Sequence, residues 1–181
     1  MNRFVWDLRY PDAVGPPPGV LLFGANMRGP VAVPGTYRVR LTVGGRALTE
    51  TFEIKKDPRL TTTDEDYRKQ FDLLIKIRDK VTASHETVNS ILKAREEVGP
   101  IVTQAKANPR YREIALKGQQ LDDRLGAVQD ELIQMKIRYG NDVLTYRIKL
   151  NNKIAALAGV VASADAAPTS QAVEVFEMLS A

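Results

Sequence analysis

Few residues in this chain have the chemistry for catalysis or metal binding, and they are scattered. In 181 residues there is one histidine, His85, and no cysteine, so thiolate catalysis, disulfides and the usual nitrogen and sulfur shell of zinc are excluded. His85 lies seven residues from both Arg78 and Leu92 in a helical pattern, with no serine-nucleophile turn or metal-ligand partner near it. It reads as a structural histidine at a helix interface or its edge. Asp64, Glu65 and Asp66 have the composition of a calcium or general-acid cluster but lack the glycine-containing twelve-residue loop of an EF-hand. Capping of a helix N-terminus accounts for all three. Asp7 and Asp12 are of the type that would pair in glycoside hydrolysis, yet acids at strand ends and turns more often bind backbone amides. Gly24-Ala25-Asn26-Met27-Arg28-Gly29-Pro30 lacks the Lys-Ser/Thr of a phosphate loop and precedes no helical pattern, so it reads as a turn-rich connection. Asn151-Asn152, beside Arg147 and Lys149, are polar on an apolar helix and should hydrogen-bond nearby backbone, joining that helix to the crossing segment before it. No catalytic, cofactor-binding or metal-ligating residue is assigned, and no cofactor is expected.

The elements that would position these residues change character at Lys56-Asp57-Pro58. Before it, short alternating runs are broken by Gly and Pro. Residues 3–9 set Phe4, Trp6 and Leu8 against Arg3, Val5, Asp7 and Arg9, and Val20-Leu21-Leu22-Phe23 is a second short apolar strand candidate. Tyr37, Val39, Leu41 and Val43 alternate with Arg38, Arg40 and Thr42. Gly44-Gly45 then supplies a two-residue turn, and Leu48 to Ile54 returns as the best-specified hairpin in the chain.

After Pro58 the period is helical. Thr62 and Glu65 form the expected capping box, and Tyr67, Phe71, Leu74, Val81, Val88 and Leu92 mark a stripe running to about Val98, where Gly99-Pro100 should break or kink the helix. Asn108-Pro109 should begin a second helix with a heptad face of Ile114, Gly118, Leu121, Leu125, Val128, Leu132, Met135 and Tyr139, ending at Gly140-Asn141 and packed antiparallel on the first. That face serves as core or as a coiled-coil dimer seam; the core reading carries more weight, because the other amphipathic segments need partners. On it, truncating Leu125 should cost more than truncating His85. Val143 to Tyr146 reads as an extended crossing. Leu150, Ile154, Leu157 and Val161 mark a third helix, and Asp165 and Pro168-Thr169 open a fourth with Val173, Phe176 and Leu179 inward. Heptad stripes that can bury one another should let residues 58–181 fold without residues 1–57.

Composition sets the outer limits. Hydrophobic residues make up 44% and charged residues 27% of the chain, as in a globular protein. The net charge is +4, of which residues 1–57 supply +3, and no like-charge block or aromatic-basic platform marks a nucleic-acid surface. No stretch matches a signal h-region or a membrane span. Taken literally the chain is cytoplasmic, provided Met1 is the true start. Against that, a strand opening almost at residue one and a helical pattern still running at Ala181 suggest a piece cut from something longer.

The run Arg3-Phe4-Val5-Trp6-Asp7, a Gly/Pro loop, then Val33-Pro34-Gly35-Thr36-Tyr37-Arg38-Val39-Arg40-Leu41 and a glycine hairpin resembles the second half of the immunoglobulin-like domain typified by the flagellar hook-capping protein. Its earlier strands have no counterpart here. The whole chain, from Asn2 through Tyr10-Pro11 and Ile148-Lys149-Leu150-Asn151-Asn152-Lys153-Ile154 to Pro168-Thr169, is similar to the C-terminal end of large bacterial proteins. Their N-terminal part is a sortilin-type or BNR-repeat β-propeller, commonly labelled glycosyl hydrolase-like. The resemblance implies an extracytoplasmic, periplasmic or secreted parent in which Met1 is internal, and it carries no catalytic position onto these residues.

The resulting expectation is an α+β chain: a partial immunoglobulin-like antiparallel β-sandwich over residues 1–57, followed by an antiparallel bundle of about four helices over residues 58–181. Its expected role is non-catalytic, bracing a propeller of its own parent chain or presenting a surface to another protein or a glycan, with neither nucleic acid nor a membrane span involved. The rival readings are a fragment of a glycoside hydrolase-like enzyme whose site lies mainly in the propeller, and a free-standing helical adaptor dimerising through helix two.

Overall fold

The computed structural model describes residues 3–181; Met1 and Asn2, the start of the stretch that carries the resemblance, lie outside the described residues. It is a mixed helix and strand structure. Among the described residues a single two-stranded antiparallel sheet, β1 (Gly35–Val43) and β2 (Arg46–Ile54), precedes four α-helices, α1 (Asp64–Lys106), α2 (Arg112–Leu132), α3 (Leu150–Val161) and α4 (Ser170–Ser180).

The hairpin forms where turn chemistry and alternation agree. Gly44 and Gly45 both take positive φ, 55° and 79°, the conformation a tight two-residue hairpin turn demands. The register sets Tyr37 opposite Phe52, Val39 opposite Glu50 and Leu41 opposite Leu48 on one face, and Arg38 opposite Thr51 and Arg40 opposite Thr49 on the other. Trp6 lies against the base of the apolar face, 6.0 Å from the Tyr37 ring and 6.2 Å from Phe52.

The strands expected at 3–9 and 20–23 are absent, and with them any second sheet of a sandwich among the described residues. Residues 3–9 are irregular, with Leu8 at a positive φ of 61°, and make only an isolated bridge from Arg9 to Val31. Residues 20–23 lie against the helical part instead, where the Leu21 amide donates to the Ile137 carbonyl at 3.0 Å. An alternating run needs a backbone partner to become a strand, and these two runs find side chains and loop carbonyls in place of a ladder.

The 43-residue helix α1, about 64 Å long at the rise of an α-helix, is the spine. Along its second half it meets α2 in antiparallel order: Lys106 reaches Gln119, and farther back Arg95 reaches Asp122 and Gln129. Its first half meets α3 and α4 around Ile77, Val81, Ile154 and Ala155, all but inaccessible to solvent. The four helices therefore form two packed groups on one shared helix, and α2 scarcely touches α3.

Three boundaries depart from the sequence expectation, each for a local reason. The capping box is made by Thr63 and Asp66 rather than Thr62 and Glu65, because the Thr62 hydroxyl donates to the Asp165 carbonyl. The first helix runs through Gly99-Pro100. Pro100 is exposed, and beyond it Val102 and Ala105 are buried against α2, so tertiary packing outweighs the lost backbone bond. Contact there is close: a Cβ on Gly118 would stand 2.5 Å from the Val102 Cγ2. Finally, α2 stops at Leu132 and not at Gly140. Ile133 turns to extended geometry; Ile133 and Ile137 are each 2% exposed, and Ile133 enters the core beside Val20 and Val88. Residues 140–144 then form a short 3-10 turn where an extended crossing was expected.

Pro100 leaves the carbonyl of Glu96 without its helical donor. Pro100→Ala should restore that bond and raise stability by about 1–3 kcal/mol, read as a higher denaturant midpoint with an unchanged slope; a lower midpoint would mean that the proline is required by the α1–α2 contact.

Candidate functional site

His85, Asn151 and Asn152 are brought together as one buried polar group. Their residues are 0%, 1% and 2% exposed. His85 Nδ1 donates to the Val14 carbonyl at 2.5 Å, and Asn151 Nδ2 donates to His85 Nε2 at 3.0 Å. Both bonds suit one neutral tautomer of the ring. Asn152 treats Phe23 as a strand neighbour would: its Oδ1 accepts from the Phe23 amide at 2.7 Å and its Nδ2 donates to the Phe23 carbonyl at 2.8 Å. The asparagines do bind backbone, but that of the N-terminal segment rather than only the preceding crossing. Both ring nitrogens of His85 and both polar atoms of the Asn152 amide are engaged inside the chain, which makes the group a clasp between α1, α3 and the N-terminal segment. Burial pushes the His85 imidazole below its ordinary value, against the opposing effect of the bond to Val14.

The acids are spread apart in the same way. Asp7 pairs with Arg28 at 2.8 Å, and Asp12 accepts from the Gly29 amide at 2.7 Å, while Arg9 donates to the Gly29 carbonyl at 2.9 Å. Both carboxylates hold the 24–30 loop in place. Gly29 is there because of close approach: a Cβ would stand 1.9 Å from the Tyr10 carbonyl oxygen, and backbone cannot yield as a side chain can. Asp66 belongs to the helix cap, where the Thr63 hydroxyl and amide hold its carboxyl below the usual range. Glu65 pairs with Lys69.

Beneath the hairpin base lies a cleft of about 570 Å³, floored by Phe71, Leu74 and Ile77. Its volume is that of a small-molecule site. Most of the charges around it are occupied, with Asp57 bound by Arg59, Lys56 donating to the Thr62 carbonyl, and Arg78 paired with Asp79.

What the fold leaves without a partner is the hairpin beyond its aromatic base. Val39, Leu41, Val43 and Leu48 are 51–71% exposed on one face. Neither strand approaches any helix, and neither outer edge is paired. Phe4 is 87% exposed, whereas Trp6 is partly covered and its indole N–H donates to the Arg9 carbonyl at 2.8 Å. Four apolar side chains held outward on a pleated ribbon with both edges unpaired can bind by burial and by strand addition. That is the chemistry this surface offers.

Sequence reasoning placed this hairpin correctly but missed the residues that anchor the rest. Ile133, Met135 and Ile137 alternate with Gln134, Lys136 and Arg138, a period-two signal that was absorbed into the heptad of the preceding helix. The heptad face itself is not core throughout: Ile114, Leu121 and Val128 are each about half exposed, and the face toward α1 carries Ala115 and Gln129.

The chain matches no family model, and no curated protein or solved structure was found similar to it.

The clasp reverses the expected order of two truncations. His85→Ala should now cost more than Leu125→Ala, which removes a side chain buried only in part, and the denaturant midpoints of the two variants decide it. Because the folded-state value of His85 is depressed, the unfolded chain binds the extra proton first. Stability is therefore full above the ordinary histidine range near 6.5 and falls as pH drops from there toward the folded-state value. His85→Gln should flatten the profile between about pH 7 and 5, where no other side chain has its ordinary value. A profile unchanged by the substitution would show that the fold does not shift the titration of the ring.

Proposed function

We propose that this chain is a non-catalytic structural and interaction module, the C-terminal part of an extracytoplasmic protein with a sortilin-type or BNR-repeat β-propeller. In this reading the hairpin is the visible half of an immunoglobulin-like sheet whose remaining strands come from elsewhere in the parent. The observation that carries the proposal is the exposed apolar face at Val39, Leu41, Val43 and Leu48, on a ribbon with both edges free. The sequence pattern around Trp6-Asp7 and Pro34-Gly35-Thr36-Tyr37, and the likeness extending to Pro168-Thr169, support it. The rival reading as part of a glycosidase requires two carboxyl groups converging on open space; Asp7 and Asp12 are instead each spent on the loop that contains Gly29.

The test is calorimetric binding of the chain to a sortilin-type β-propeller domain carrying its own following strands. Leu41→Asp with Leu48→Lys should abolish binding and leave the melting temperature of the chain alone unchanged, since both side chains already face solvent and the new charges stand opposite one another as a pair. Binding that survives the double substitution, or no binding by the unaltered chain, would overturn the proposal.

One observation favours a second use. Ile114, Leu121 and Val128, at heptad spacing on α2, are 46–51% exposed, the pattern of a helix seam awaiting a partner. If they pair two copies of the chain, sedimentation will show a concentration-dependent dimer that Leu121→Glu returns to monomer. A monomer at all concentrations removes this use.

A further inference from the structure

The free edge of β1 is chemically unlike that of β2, and the difference specifies what can add to it. On the polar face of β1 stand Arg38 and Arg40, both exposed. Their cross-strand neighbours are Thr51 and Thr49, and among the described residues neither arginine has an ion pair or a side-chain hydrogen bond. On β2 the charges are Arg46 and Glu50 on the apolar face and Glu53 on the polar one. The ribbon thus has one edge with two unneutralised cations on a single face and another with mixed charge, where Glu53 already has Lys55 at 3.7 Å.

We propose that β1 is the receiving edge for an added strand, and that the strand alternates apolar residues with acidic ones. A chain laid along Gly35–Val43 would place every second residue beside Tyr37, Val39 and Leu41 on the apolar face and the intervening ones beside Arg38 and Arg40. Acids at those positions neutralise both arginines, and apolar residues extend the exposed face into a three-stranded sheet. Addition at β2 would set the same acids next to Glu53.

A second copy of the chain is a poor occupant. Its β1 would bring arginine against arginine in the registers of longest overlap. Its β2 would present only Glu53 on the polar face and bury Glu50 among apolar side chains. The partner is therefore a different segment of alternating apolar and acidic sequence. This inference rests on the proposed function and narrows it to one edge and one chemistry.

The experiment uses the full chain, isotopically labelled, titrated with two nine-residue peptides, one alternating Val with Glu and one alternating Val with Lys. The Val/Glu peptide should shift amides of Gly35–Val43 and bind about fivefold or more tightly than the Val/Lys peptide, the scale of two exposed ion pairs, with the preference shrinking as salt rises. Arg38→Glu with Arg40→Glu should invert the preference, with the strand amide dispersion confirming that the hairpin is still folded. Equal binding of the two peptides, shifts confined to β2, self-association through the hairpin, or no binding by a folded hairpin would each overturn the assignment. Loss of peptide discrimination with propeller binding intact would remove this edge while leaving the proposed function standing; loss of both would remove the two together.

Discussion

A buried polar group that lacks a partner costs more than the bond it could have made is worth, and the chain is organised around that constraint. His85, Asn151 and Asn152 lie where water does not reach, so the N-terminal segment has to supply Val14 and Phe23 backbone to them. The clasp thereby fixes an otherwise irregular strand of chain across α1 and α3. Val20 can then enter the core with Val88 and Ile133, and the Leu21 amide meets Ile137. Releasing that segment would expose both the polar group and an apolar seam. The helices are consequently not independent of the residues before Pro58, although their stripes alone suggest that they are: in the isolated segment 58–181, Asn152 would lose both of its backbone partners.

How much of this was legible in the sequence follows from whether each interaction is local. The hairpin was readable because its determinants, Gly44-Gly45 and the flanking alternation, lie within twenty residues of one another. The third and fourth helices were readable for the same reason, with Thr169 capping the fourth as its sequence suggests. The strands at 3–9 and 20–23 were misread because alternation states only that a segment is half-buried and extended. Whether it joins a sheet depends on partners far along the chain, here at 31, 137 and 152. Of the break or kink expected at Pro100, the break does not occur, because its local cost is smaller than the packing of Val102 and Ala105 beyond it. The end of α2 was misread because Leu132 and Met135 suit the heptad as well as they suit an extended segment, and only the β-branched Ile133 and Ile137 favour the latter.

The same distinction separates the two halves of the candidate site. That His85 is structural could be argued from the absence of chemical neighbours, but not that it is among the most enclosed side chains of the fold. Its partner Asn151 lies sixty-six positions away, and nothing in a lone sequence joins them. By contrast, the exposed hairpin face was implied by counting: a few alternating strands cannot cover their own apolar side.

That exposed face also ties function to stability. A two-stranded ribbon is marginal in water, and this one is held at its base by Trp6, Tyr37 and Phe52, whose rings lie 5.9–6.2 Å apart. The aromatic cluster secures the end nearest the helices and does nothing for the turn, where Val43 and Leu48 are two-thirds or more exposed. A strand laid along the free edge of β1 would supply the missing backbone bonds and cover at once, stabilising the outer half by the contacts it uses to bind. Binding and ordering of the hairpin tip are then the same event, and the edge with uncompensated arginines decides which strand can bring it about.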